Sequence, residues 1–109
     1  MTYAHKTWKL ADKAPMHSES GYLRCGAGGA VQLAVAQVTG IAEASSGSYD
    51  AATRTLTLRS TSLGNAEKVQ EVERQYALSE DAGTLSVVVS MRTATQALQP
   101  HLRATLRRV

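Results

Sequence analysis

The chain has 109 residues, 43% hydrophobic and 19% charged, which bounds it to one soluble globular domain, residues 1–109, and excludes two domains or a disordered chain. Its net charge of +3 gathers partly in Arg103, Arg107 and Arg108; with four Tyr, one Trp and no Phe, the aromatics that accompany a nucleic-acid surface are scarce, so a solvated strand end is expected and no nucleic-acid partner. No apolar run approaches a bilayer span, no secretory signal opens the chain, and the single Cys25 forbids an internal disulfide, so no membrane partner and a cytoplasmic location are expected.

Short, regularly spaced turns punctuate the sequence, as in all-β folds. "TYAHKTWKL" reads as a strand, followed by the turn "ADKAP" and the strand "HSESGYLRC", closed by "GAGG". "AVQLAVAQ" alternates, with Val31, Leu33, Val35 and Gln37 on one face. "TGIAEASSG", the turn "SYDAAT" and the strand "RTLTLRS" come next, and "GTLSVVVSM" puts Leu85, Val87, Val89 and Met91 on one face. Strands joined this closely must pair antiparallel, which predicts an up-and-down meander of about eight strands that either closes or leaves two edges. Two segments read differently. "NAEKVQEVERQYAL" spaces Ala66, Val69, Val72 and Tyr76 by three and four, which predicts a helix. In the tail, "ALQPHLRATLRR" fits a helix through Leu98, Leu102 and Leu106 as well as a strand whose Gln99, His101 and Arg103 oppose the leucines.

The sequence contains no phosphate-binding glycine loop, HExxH, CxxC or GxSxG pattern. "GAGG" lies between two strands and reads as a hairpin turn. Glu67, Glu71 and Glu73 read as well as a solvated face as they do as acid–base groups, and Cys25 reads as a small strand hydrophobe. Gln37 ends an apolar face and His17 shares a face with Leu23. If those faces point inward, the interior is aliphatic with a few polar groups, which suits either a ligand cavity or a packed core with a satisfied histidine.

"KTWKLADKAPMHSESGYLR", "AVAQVTGIAE", "STSLGNAEKVQEVERQYAL" and "VVVSMRTATQALQPHLRATLRRV" resemble the nitrobindins, haem-binding β-barrels of plants, bacteria and the end of an animal zinc-finger protein. The resemblance runs through the whole chain and is closest to the plant members. It implies an antiparallel, lipocalin-like barrel of about ten strands, making both the 66–76 segment and the tail strands. It also implies that the chain starts after the family's GxWxGxGxG segment, since Trp8 belongs to "KTWK". The chain then holds about eight of those ten strands, and the sheet has exposed edges through which a homodimer could form.

By the same resemblance, His101 of "QPHL" is the proximal ligand of a ferric haem b iron, and Met16, His17, Gln37, Val69 and Met91 line the haem cavity, with Lys68 a partner for a propionate. The family binds nitric oxide and is credited with isomerising peroxynitrite to nitrate. A neutral imidazole is a good iron ligand, and one protein ligand leaves the opposite axial position open. For His101 to face the cavity, its strand face must line the barrel mouth, or a bulge at Pro100 must shift the register. Two other classes compete: a non-enzymatic carrier of a hydrophobic small molecule, with His17 and Gln37 as polar contacts, and a truncated remnant without ligand.

Overall fold

The computed structural model describes all 109 residues. They form one antiparallel sheet whose eight strands pair in sequence order: β1 (Thr2–Trp8), β2 (Pro15–Cys25), β3 (Ala30–Gln37), β4 (Ala42–Asp50), β5 (Thr55–Gly64), β6 (Val69–Leu78), β7 (Thr84–Thr93) and β8 (Gln99–Arg107). β1 and β8 do not pair, so the curled meander is a half-barrel with two free edges. No helix is long and apolar enough to cross a membrane.

The interior follows from strand parity. β3 alternates strictly, burying Val31, Leu33, Val35 and Gln37 while its other residues face outward. With Leu58, Val72, Tyr76, Val87 and Val89, the three aliphatics form the hydrophobic core. Gly21 and Gly47 stand on inward positions where a Cβ would lie 1.9 Å from the Ala34 carbonyl oxygen and 1.8 Å from that of Thr57. Lacking that atom, β2 and β4 coil tightly against β3 and β5.

The structure corrects two local expectations. The 65–78 segment holds no helix: residues 65–68 form a bend and Val69–Leu78 are strand β6, governed by period-two burial of Val72, Arg74 and Tyr76 and paired with both β5 and β7. Its inward Arg74 interrupts the apolar alternation and leaves residues at three- and four-residue spacing as the visible pattern. "SYDAAT" is half strand, because Tyr49 and Asp50 pair with Leu56 and Thr55, and the chain reverses at Ala51–Arg54. Arg54 takes φ 54° there. "GAGG" is a hairpin connection, as expected, with a single 3-10 turn at Ala27–Gly29; Gly28 and Gly29 take the left-handed φ values of 66° and 81° that favour glycine.

Candidate functional site

Four ladders slip by one residue, and three of the slips lie at one end of the half-barrel. They fall at Met16–His17 in β2, where two residues oppose Thr7 of β1, at Gln70 in β6 beside Val69, and at His101 in β8. In β8, Val89 pairs with Leu102 and Ser90 with Pro100, so His101 is the unpaired extra residue. A β-bulge of this kind re-aims a side chain that strict alternation would send to the other face. His101, Leu102 and Arg103 consequently border the same cleft despite being consecutive.

That cleft has a volume of about 880 Å³. Ile41, Val69, Val89, Met91 and Leu102 supply its apolar wall; His17, Gln37 and His101 supply polar atoms; Lys9 and Arg103 bring cationic groups. Met16 borders it too but is 59% exposed, which puts it at the rim. Of the residues expected at the site, the structure thus gathers Met16, His17, Gln37, Val69, Met91 and His101 in one cleft. Lys68 stands apart, on the exposed bend just before Val69 and outside the cleft lining. No three His, Cys, Asp or Glu side chains cluster where they could hold a bare metal ion.

A buried charged network lies behind the cleft. Arg74, 1% exposed, reaches from β6 across the interior to two carboxylates. It donates through Nε and Nη2 to Glu43 on β4, both at 2.8 Å, and through Nη1 to Glu19 on β2 at 3.2 Å. Nη2 also stands 2.7 Å from Glu19 Oε2, an ion-pair contact in which that oxygen accepts no aligned hydrogen bond. Arg74 further donates to the Tyr76 hydroxyl, which meets the Tyr3 hydroxyl of edge strand β1 at 3.1 Å. The network touches the cleft twice, through His17 Nε2 on Glu19 at 3.1 Å and Gln37 Nε2 on Glu43 at 3.3 Å.

Burial alone would push the Glu43 carboxyl up, but the hydrogen bonds and charge of Arg74 outweigh it and hold that carboxyl below its usual range. Burial works against the Arg74 charge as well, and its hydrogen bonds to Glu43 and Glu19 more than compensate, raising it above the usual guanidinium value. Burial and the neighbouring Tyr76 raise the Tyr3 phenol far enough to keep it neutral at any ordinary pH. Glu19, Glu43 and Arg74 escaped the sequence reading. Their signal was strand parity: Arg74 shares a face with Val72 and Tyr76, and Glu19 with His17 and Leu23.

An antiparallel half-barrel with a lateral cleft at a bulged end belongs architecturally among the small-molecule-binding β-barrels. Comparison with known proteins narrows that class. Residues 1–108 match the family described as "THAP4-like, heme-binding beta-barrel domain", and the chain belongs to that family. It is 45% identical over 106 residues to a protein of Arabidopsis thaliana named peroxynitrite isomerase Rv2717c, covering 97% of this chain and 63% of that relative. The chain therefore spans less than two thirds of that protein's length. A Mycobacterium bovis protein named peroxynitrite isomerase 2 is 37% identical over 116 residues, covering 99% of this chain and 70% of its own. The crystal structure of Rv2717c from M. tuberculosis superposes with a TM-score of 0.85 at 36% identity, covering 99% of this chain and 71% of that one.

Proposed function

We propose that the cleft holds ferric haem b with His101 as the iron's one protein ligand, and that the loaded protein binds nitric oxide and isomerises peroxynitrite to nitrate. The carrying observation is a lone imidazole placed by a β-bulge on the wall of an 880 Å³ cleft, in a chain of this family. The donor set fits the group. A single imidazole is a poor cage for a bare transition-metal ion, whereas an iron already ringed by a porphyrin needs only one axial ligand.

Ile41, Val69, Val89, Met91 and Leu102 would contact the macrocycle and exclude water. Lys9 and Arg103 in the lining, with Lys68 on the adjoining bend, are the cations for the propionates. His17 and Gln37 present the polar atoms that meet a small ligand, and Met16 covers the rim. When bound, the haem would supply a Lewis-acidic iron able to take up such a ligand. Residues 1–109 act as one domain in this reading, in the cytoplasm, with pairing of the free β1 or β8 edges as the route to a homodimer.

Titration of the purified protein with hemin tests the reading. A Soret band saturating at one haem per chain, lost on His101→Ala, is expected. Absence of any Soret band would leave the cleft to another hydrophobic ligand, or to none.

A further inference from the structure

The charged network behind the cleft determines which hydrogen-bonding atoms the cleft offers. Glu43 accepts two bonds from Arg74 and one from Ser45 Oγ at 2.6 Å. As a carboxylate it can only accept, so Gln37 must turn its amide NH2 toward it. The Gln37 carbonyl oxygen is then the end left to the cleft, and no protein donor reaches it. Glu19, paired with the same guanidinium, acts in the same way on His17. A carboxylate facing Nε2 places the proton on that nitrogen, so Nδ1 of the neutral ring is a bare acceptor. The His17 side chain is 26% exposed, and neither Gln37 Oε1 nor His17 Nδ1 is a sealed, unpartnered atom; Glu19 Oε2 alone fits that description.

We propose that Arg74, acting through Glu19 and Glu43, fixes His17 and Gln37 so that the cleft presents two hydrogen-bond acceptors and selects ligands that carry an O–H or N–H donor. Arg74, Glu19 and Glu43 are positioning residues; His17 and Gln37 determine specificity. The ligand preference rests on the haem reading, in which it favours protonated peroxynitrite over the anion. The acceptor arrangement itself belongs to the protein with or without haem.

The test has two arms. In the first, nitrogen NMR of the histidine-labelled apo-protein, at a pH where the ring is neutral, should show His17 protonated on Nε2 and bare on Nδ1. Glu19→Gln can turn an amide donor toward Nε2 and should move the ring toward the Nδ1–H tautomer. A wild-type proton on Nδ1, or a tautomer indifferent to Glu19→Gln, overturns the proposal.

In the second arm, imidazole and 1-methylimidazole are titrated into the hemin-loaded protein. Their affinity ratio reads the donor preference, because only imidazole keeps a free N–H when its other nitrogen binds iron. Gln37→Met, which keeps the volume and drops the acceptor, should lower the ratio by about tenfold, the worth of one net hydrogen bond. Glu43→Gln, which lets Gln37 reverse its amide, should lower it comparably without touching the ligand. An unchanged ratio in Gln37→Met overturns the proposal. Gln37→Met leaves both Arg74 ion pairs standing, so it carries this arm if Glu43→Gln does not fold. If hemin gives no Soret band, the haem reading fails on its own. The apo spectra then still decide the acceptor arrangement, and the same two imidazoles, read through the His17 Nδ1 signal, decide the preference.

Discussion

Away from the cleft, Val31, Leu33, Leu58 and Val87 fill the interior behind ladders that run in register but for one slip at Thr61 of β5; at the cleft end, β2, β6 and β8 each carry an extra residue and the interior stays open. The difference separates two tasks. Regular pairing with aliphatic packing supports the fold, while irregular pairing aims side chains that regular pairing would point elsewhere. Between the two regions, Arg74 binds to Glu19 and Glu43 across the interior and ties β6 to β2 and β4 without any ladder. In a sheet whose edge strands do not meet, such a strut holds opposite walls at a fixed separation.

If the division holds, substitutions on its two sides separate stability from ligand binding. The largest loss should come from Arg74→Met, which strands two buried carboxylates: about 3–5 kcal/mol in denaturant unfolding. A loss below about 1 kcal/mol would mean that Glu19 and Glu43 find water or protons at little cost, and that the strut is dispensable. His101→Ala should do the reverse. Hemin affinity should fall by about 100-fold or more, while unfolding free energy moves by no more than about 0.5 kcal/mol, since the ring is exposed and leaves no buried partner unpaired. His5→Ala provides the control: it lies outside the cleft lining and should leave hemin affinity within about twofold.

Acid sharpens the comparison. The Glu43 carboxyl is depressed in the folded state, so its contribution is fully present at neutral pH, above its unfolded value, and is lost as pH falls through the folded one. Thermal unfolding followed below the usual carboxylate range should therefore show a stability loss that Glu43→Gln removes. Identical acid profiles for the two proteins would place the loss elsewhere. The smallest effect concerns the edges. The unpaired N–H and C=O rows of β1 and β8 should produce dimers in light scattering of the apo-protein at high concentration. A monomer at every concentration would show that Lys6, Pro100 and Arg103 already guard those edges.

The interior away from the cleft was legible in the sequence because strands there alternate without interruption: Val31, Leu33 and Val35 declare their face, as do Leu85, Val87 and Val89. The order of strands followed from the short turns. β6 was misread from spacing because a charged residue occupies an inward position, and only the two carboxylates that meet it across the interior explain why it can. No local pattern reveals that Glu19 and Glu43, 24 positions apart in the chain, converge on one guanidinium. Strand faces already offered His17 and Gln37 as polar groups of a possible cavity; the other cleft residues were reached through resemblance. Parity alone assigned His101 to the face opposite Leu102, and a single extra residue in the ladder removes that conflict.

That extra residue has a consequence for the chain's tolerance of change. Excising position 101 altogether would join Pro100 to Leu102, and the β7–β8 pairs on either side of the slip would fall into one continuous register. The shortened strand would zip more completely against its neighbour than the natural one does. Improvement of the strand and removal of the imidazole are thus the same one-residue deletion, so any pressure toward a tidier sheet acts directly against the cleft.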